Sequence, residues 1–375
     1  MSHLSVLAAA LFLSACDQPS AEDHVQAGNR LVEQGDYARA CEEYARAVEI
    51  NPRYAMAYYN WGVTLGNLGR HAEACEKYAK AVENDPRDAD AYFNWGNVLD
   101  DLGHHAEACE KYAKAVEIDP KHADAYYNWG NALGKLGRRA EACEKYAKAL
   151  KTDLRHARAY HNWGVTLADV GRHAEACEKY AKAAEIDPKN ADSYLNWGVA
   201  LDDLGQHAEA CEKYAKAVEI DPKHADAYCN WALALDDLRR HSEACEKYAK
   251  AVEINPRHAP AYFNWGNALH DLGRHAEACD KFAKAVEIDP RYALAYFNWG
   301  ITLSDLGRYA EACEKYAKVI EIEPSNARAH FHWGQALARM GKRAEAEEKL
   351  SKAVELDPKL KTRAEEIRRD LLQKR

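Results

Sequence analysis

The 375-residue chain has no stretch of unique sequence long enough to hold an enzyme. It carries no glycine-rich phosphate loop and no nucleophile beside an oriented base. A catalytic site needs one asymmetric constellation, not residues copied along a chain. The reading is therefore a non-catalytic protein with no cofactor and no metal. Composition typical of a linker is also missing, which argues against a second domain. The apolar run Leu4 to Leu13 is too brief to span a bilayer as a mature helix. Nor is there an excess of positive charge: 51 Lys and Arg stand against 60 Asp and Glu, a net charge of −9. Residues 361–375 hold six basic and three acidic groups, so the remainder stands at −12. That balance excludes nucleic acid as a partner.

What the chain does have is repetition. Nine tryptophans, from Trp61 to Trp333, are spaced 34 residues apart without a slip, and nine cysteines from Cys41 to Cys313 keep the same step. A fixed period of this size means a stacked array in which each unit buries its apolar face on its neighbours. Each unit reads as two helices. Tyr126, Trp129, Leu133 and Leu136 recur at helical spacing, and Ala142, Cys143, Tyr146, Ala149 and Leu150 do so again after a break. Gly137 suits the left-handed residue that ends a helix, and the Asp-Pro or Asn-Pro that closes most copies stops the second one. Ten units begin at Ala21, Ala55, Ala89, Ala123, Ala157, Ala191, Ala225, Ala259, Ala293 and Ala327. The first lacks the tryptophan. Leu360, Ala364, Ile367 and Leu371 form the stripe of a final capping helix over residues 361–375, with Arg368, Arg369, Lys374 and Arg375 facing water. Pairs such as Glu107–Lys111 and Glu110–Lys114 are expected on a solvated outer face.

A 34-residue helix–turn–helix of this kind resembles the tetratricopeptide repeat (TPR) family. Gly130, Ala142 and Ala149 stand where that family needs small residues, while Tyr126, Trp129 and Leu133 replace its usual Trp, Leu and Tyr. The resemblance implies an all-α, right-handed superhelical solenoid that binds proteins or extended peptides in a concave groove. Leu13-Ser14-Ala15-Cys16, directly after the apolar run, resembles the lipobox of bacterial lipoproteins. That family lipidates the cysteine and cleaves the peptide before it. The expectation is a signal peptide over residues 1–16, a tether over 17–20, and a lipid anchor on Cys16 holding the array at the bacterial cell envelope, facing the periplasm. Asp17 resembles the inner-membrane retention signal of enteric bacteria. A cytosolic TPR adaptor or assembly factor is the alternative.

The tryptophans read as core between the two helices, since a fully buried indole removes roughly 150–250 Å² from water. The cysteines read as small buried hydrophobes. Equivalent positions in adjacent units lie at least a helix-packing distance of about 8–10 Å apart, too far for the disulfide limit of about 7 Å. His-x-x-x-Cys pairs such as His71/Cys75 and His275/Cys279 offer half a metal site. The same spacing puts completing ligands from the next unit out of reach.

Asn60, Asn94, Asn128, Asn162, Asn196, Asn230, Asn264 and Asn298 precede the tryptophans, and His332 alone breaks the series. In a TPR superhelix this helix face lines the groove. The row resembles the peptide-backbone ladder of the TPR segment of O-linked N-acetylglucosamine transferases, where a carboxamide both donates to and accepts from a passing peptide unit. Asparagine is also common at this site in ordinary TPR sequences. Beside the ladder stand Tyr59, Phe93, Tyr127, Phe263 and Phe297, with Cys229 in place of the aromatic in the seventh unit, where it is expected to be the most reactive array thiol. Further along come acidic residues, among them Asp202, Asp203, Asp236 and Asp237, which serve either a groove field for cationic ligands or solubility. The lysines and arginines of the carboxylate clamp in chaperone-binding TPR domains are missing at the matching positions. Finally, the seventh unit is expected to be a weak joint, because Arg239 stands where other full units have the turn glycine and Ala232 replaces the crossing glycine.

Overall fold

A computed structural model describes residues 19–373 of the chain. Residues 1–18, and with them the expected signal peptide and the Cys16 anchor, lie outside the described residues, as do Lys374 and Arg375. Among the described residues there is no strand. The chain divides into two compact units, ending at Asp187 and beginning at Pro188. The first holds α1 (Ala21–Glu33), α2 (Tyr37–Ile50), α3 (Ala55–Asn67), α4 (His71–Asn84), α5 (Ala89–Asp101), α6 (His105–Ile118), α7 (Ala123–Lys135), α8 (Arg139–Thr152), α9 (Ala157–Ala168) and α10 (His173–Ile186). The second holds α11 (Ala191–Asp203), α12 (His207–Ile220), α13 (Ala225–Asp237), α14 (His241–Ile254), α15 (Ala259–Asp271), α16 (His275–Ile288), α17 (Ala293–Asp305), α18 (Tyr309–Ile322), α19 (Ala327–Arg339) and α20 (Arg343–Leu356), then a 3-10 turn and α21 (Lys361–Gln373). Each unit is thus a solenoid of five helix–turn–helix pairs, and consecutive first helices within a unit touch one another.

Nine of the ten pairs are built around one ring of the second helix, and Leu350 takes that place in the tenth. Tyr44, Tyr78, Tyr112, Tyr146, Tyr180, Tyr214, Tyr248, Phe282 and Tyr316 are almost wholly enclosed. In all but the seventh repeat the core side chain lies against a first-helix glycine: a Cβ on Gly130 would sit 2.5 Å from Tyr146 Cε1. The absent side chain is what lets the two helices close on the ring.

The turn between paired helices is set at Gly137, whose φ is +73°. Arg138 N–H reaches back to the Leu133 carbonyl at 2.9 Å, satisfying a carbonyl at the helix end. The seventh repeat keeps this geometry without glycine. Arg239 has a φ of 60°, and Arg240 N–H still bonds Leu235 O at 2.8 Å. The hydrogen bonds hold an arginine in the left-handed region at a cost of roughly 1 kcal/mol. Ala232, in the same repeat, is fully buried.

First helices are capped by the turn before them. Asp88 Oδ1 accepts from Ala91 N–H at 2.9 Å, and His156 Nδ1 accepts from Ala159 N–H at 3.2 Å. With that nitrogen accepting, His156 Nε2–H points to Asp124 Oδ1 of the preceding repeat at 3.2 Å, so one side chain both caps a helix and joins two repeats.

At the far end Leu360 and Ala364 are buried with Phe331, Leu350 and Ala353, and Ile367 packs against them. Arg368 does not simply face water as expected: its guanidinium donates to Glu347 at 2.8 and 2.7 Å and to Ser351 Oγ at 3.0 Å. The outer-face pairing also differs from expectation. Lys114 bonds Glu117 at 2.7 Å rather than Glu110, and Lys111 lies 4.1 Å from the centroid of the Trp95 ring.

Candidate functional site

The tryptophans are half-buried rather than enclosed, and each carries a lysine from its own second helix over the exposed face. Lys77 lies 4.2 Å from Trp61, Lys145 3.8 Å from Trp129, and Lys281 3.8 Å from Trp265. The alkyl stem covers apolar ring while the ammonium stays wet. The opposite edge meets the preceding repeat, where Cys41 lies against the indole N–H of Trp61 and Cys245 against that of Trp265. Neither indole N–H has an oxygen or nitrogen partner. The cysteine ladder therefore packs under the tryptophan ladder, and the described cysteines are unbridged thiols.

The asparagine row is only partly open for ligands. Asn60 Nδ2 donates to Asn29 Oδ1 at 3.0 Å, Asn128 Nδ2 to Asn97 Oδ1 at 2.8 Å, and Asn298 Nδ2 to Asn267 Oδ1 at 2.8 Å. Asn94 donates to the Tyr59 hydroxyl at 3.0 Å. Asn162 spends both protons, on Tyr127 OH at 3.1 Å and Asn131 Oδ1 at 2.9 Å. Three of the accepting asparagines also receive the core tyrosine, as in Tyr112 OH to Asn97 Oδ1 and Tyr146 OH to Asn131 Oδ1, both 2.9 Å, whereas Asn267 shares its repeat with Phe282. Sequence reasoning missed this second set, Asn29, Asn97, Asn131 and Asn267. Their signal was visible: each stands three residues after a ladder position, one turn along the same helix face. Val199 and Leu233 occupy the bridging position before Asn230 and Asn264, so those two rungs have no asparagine partner of this kind.

Two recesses open on this face. One of about 430 Å³ lies between α7 and α9, lined by Asn131, Asn162, Lys135, Arg139, Thr166 and Asp169. The other, about 350 Å³, lies between α15 and α17 and is lined by Asn267, Asn298, His270, Asp271, Ile301 and Thr302. In each, a ladder asparagine meets the bridging asparagine of the repeat before it. The first recess sets the exposed Asp169 carboxylate beside the cationic Lys135 and Arg139, and the second holds the exposed Asp271 carboxylate beside His270.

The neighbouring residues divide. Tyr127 and Phe297 are only 9% and 6% exposed, so they pack joints instead of offering open contact. Tyr127 stacks near His156 at 4.7 Å between ring centroids, as Phe93 does near His122 at 4.5 Å. Tyr59, Phe93 and Phe263 are half-buried. Cys229 overturns its expectation: it is 5% exposed, and burial with Asp226 nearby pushes its thiol up to about 11. A buried, protonated thiol is unreactive. The acidic residues also split. Asp202 and Asp236 turn inward and bind the histidines that open the second helices, His207 Nδ1 at 2.6 Å and His241 Nδ1 at 2.9 Å. Burial raises both carboxyls above the ordinary range, against the pull of those histidines. Asp203 and Asp237 remain exposed.

Family models described as TPR repeat match residues 28–69, 96–137, 200–238, 266–307 and 302–341, more than half of the chain. Others described as tetratricopeptide repeat match 55–88, 225–258 and 327–360, then 127–191, then 77–110, 179–212 and 247–280. The chain belongs to the tetratricopeptide repeat family. Among solved TPR-like structures, YrrB, described as a TPR protein with an unusual peptide-binding site, is 29% identical over 50% of this chain and 96% of its own, with a TM-score of 0.45. A MamA protein is 27% identical over 46% and 94%, with a TM-score of 0.43. PilF of Pseudomonas aeruginosa is 21% identical over 54% and 92%, with a TM-score of 0.47. No curated protein matches the chain.

Proposed function

We propose that this TPR array is a non-catalytic scaffold that binds extended, donor-rich peptide segments along its asparagine face. The observation that carries the reading is the recess between consecutive first helices, bordered both times by paired asparagines and an exposed carboxylate, Asp169 in one and Asp271 in the other. Such a surface presents acceptors, and an extended peptide supplies backbone N–H groups and lysine or arginine side chains to meet them. Exposed Asp203 and Asp237 add negative field at the ends of the first helices α11 and α13.

Binding of unstructured lysine-rich and glutamate-rich peptides of matched length, titrated at two salt concentrations, tests this. Lysine-rich peptides are expected to bind and to weaken with salt, and Asp203→Asn with Asp237→Asn to flatten that salt dependence. Equal binding of glutamate-rich peptides would reject an acceptor-lined surface.

We further propose that the scaffold is a lipoprotein held at a bacterial membrane through Cys16, facing the periplasm. The support is the Leu-Ser-Ala-Cys sequence after the apolar run. Metabolic labelling with a fatty-acid probe is expected to mark the wild type and not Cys16→Ser. Unlabelled wild type would leave the array unanchored by this route.

A further inference from the structure

Five residues after tryptophan, the third, sixth and seventh repeats carry aspartate: Asp100, Asp202 and Asp236. Each carboxylate pairs with Nδ1 of the histidine opening the second helix, His105 at 2.6 Å, His207 at 2.6 Å and His241 at 2.9 Å. In the eighth repeat His270 replaces that aspartate. His275 thereby loses its carboxylate, and its Nδ1 is buried with no hydrogen-bond partner. The two imidazoles stand 4.8 Å apart between centroids. From the ninth repeat Asp305 reaches back to them, with Oδ2 at 3.8 Å from His270 Nε2. One ring nitrogen of each histidine and an Asp305 oxygen lie within 4.8 Å of one another. The sequence-based expectation that the next unit is too far away to supply a ligand therefore fails at this joint, because an aspartate side chain spans the gap between first helices.

Proton accounting places a proton on Nδ1 of His270. The Thr302 hydroxyl has one proton, and it donates to the Asn298 carbonyl at 2.8 Å. Its 3.1 Å contact with His270 Nδ1 therefore requires a proton on that nitrogen, and in the neutral ring Nε2 then carries the lone pair facing Asp305. A hydroxyl that holds the far nitrogen of a histidine is the usual way a ligating imidazole is oriented. A lone pair and a carboxylate facing each other call for a cation between them. The third joint shows how the fold fills this place elsewhere: Lys135, at the position of Asp305, puts its ammonium 2.7 Å from Asp100. At the eighth joint both residues are exchanged and no lysine remains.

We propose that His270, His275 and Asp305 form a binding site for a divalent transition-metal ion, with zinc as the reference ion. Two imidazoles and a carboxylate are a donor set for zinc rather than magnesium or calcium. Tetrahedral donors on zinc stand about 3.3 Å apart, so small side-chain rotations close the observed spacing. The recess of about 350 Å³ that His270 and Thr302 line has room for the water or ligand atom completing the set.

The test uses the full chain, stripped of metal by chelator, titrated with Zn²⁺ by calorimetry and with Co²⁺ by visible absorption. One equivalent is expected to bind, giving tetrahedral Co²⁺ bands without a thiolate charge-transfer band. His270→Asp recreates the arrangement of three other repeats and so keeps the fold. It is expected to weaken Zn²⁺ at least about a hundredfold, and Thr302→Val about tenfold with recovery in Thr302→Ser. Asp237→Asn, in the related cluster of Asp202, His207 and Asp237 where His207 is already paired, is expected to leave the Zn²⁺ and Co²⁺ titrations as in the wild type. Binding unaltered in His270→Asp, a thiolate band, or equal competition by Mg²⁺ would overturn the site. So would absence of binding, which would mean a protonated His270 paired with Asp305.

Discussion

Acidification from pH 7 to pH 4 is expected to remove roughly 2–3 kcal/mol of stability from the last repeats through His332 alone. His332 stands where other repeats carry the ladder asparagine. Its ring is wedged beside Phe297 at 5.5 Å, Tyr316 at 6.1 Å and Phe331 at 5.5 Å. Burial pushes its pKa down to about 4, and the charges of Arg363 and Arg328 act in the same direction, against Gln335 and Asp305. In the unfolded chain an imidazole titrates near 6.5. Below that pH the unfolded chain takes up a proton that the folded one refuses. The contribution is therefore complete above pH 6.5 and lost as pH falls toward 4. The gap between the two values sets a ceiling of about 3 kcal/mol, and partial solvent access to the ring lowers it. Urea unfolding of wild type and His332→Asn at pH 7, 5.5 and 4 measures the effect as the change in their difference. Parallel pH dependences would show that His332 does not titrate this way. Resonance titration of the His332 ring gives the pKa directly.

Replacing Asn230 and Asn264 together by alanine is expected to weaken a peptide that binds the wild type by about thirtyfold while leaving the fold intact. These rungs follow Val199 and Leu233, so they lack the inter-repeat asparagine bond made by Asn60, Asn128 and Asn298. Each carboxamide is expected to contribute about 1 kcal/mol net through a backbone hydrogen bond, and about 2 kcal/mol together is a factor near 30. Asn128→Ala provides the contrast: it strips a donor from Asn97 Oδ1, so stability and binding fall together. Unchanged affinity in the double variant would move the binding surface off the ladder.

The repeat architecture was legible because its determinants are local and recur nine or ten times. A glycine where φ must be positive, alanines where helices cross and proline after the second helix all act within one repeat. Arg239 was legible as an exception for the same reason, and it keeps the left-handed backbone. What could not be read concerned partners in the next repeat. Asn97 looks like a surface residue until Tyr112 and Asn128 are seen to converge on it. Cys229 reads as a gap in an aromatic row, yet its neighbours close over it. The tryptophans were assigned to the interior because an indole is apolar, whereas a lysine sixteen residues later covers the face left open. The His270 joint was missed because one helix-packing distance stood for every contact, although an aspartate side chain bridges it.

The contact of Cys41 with Trp61, repeated at Cys109 with Trp129 and Cys245 with Trp265, makes joints within a unit interchangeable. A crossover between misaligned gene copies that removed one whole period would bring together the same sulfur and the same indole. Array length can therefore change in whole steps without a new interface having to evolve. The third and eighth joints depart from this, since Asp100 finds an ammonium only when the segment bearing Lys135 comes next, and the histidines of the eighth find a carboxylate only when the segment bearing Asp305 does. Each dependence would fix the order of two neighbouring copies in an otherwise exchangeable series.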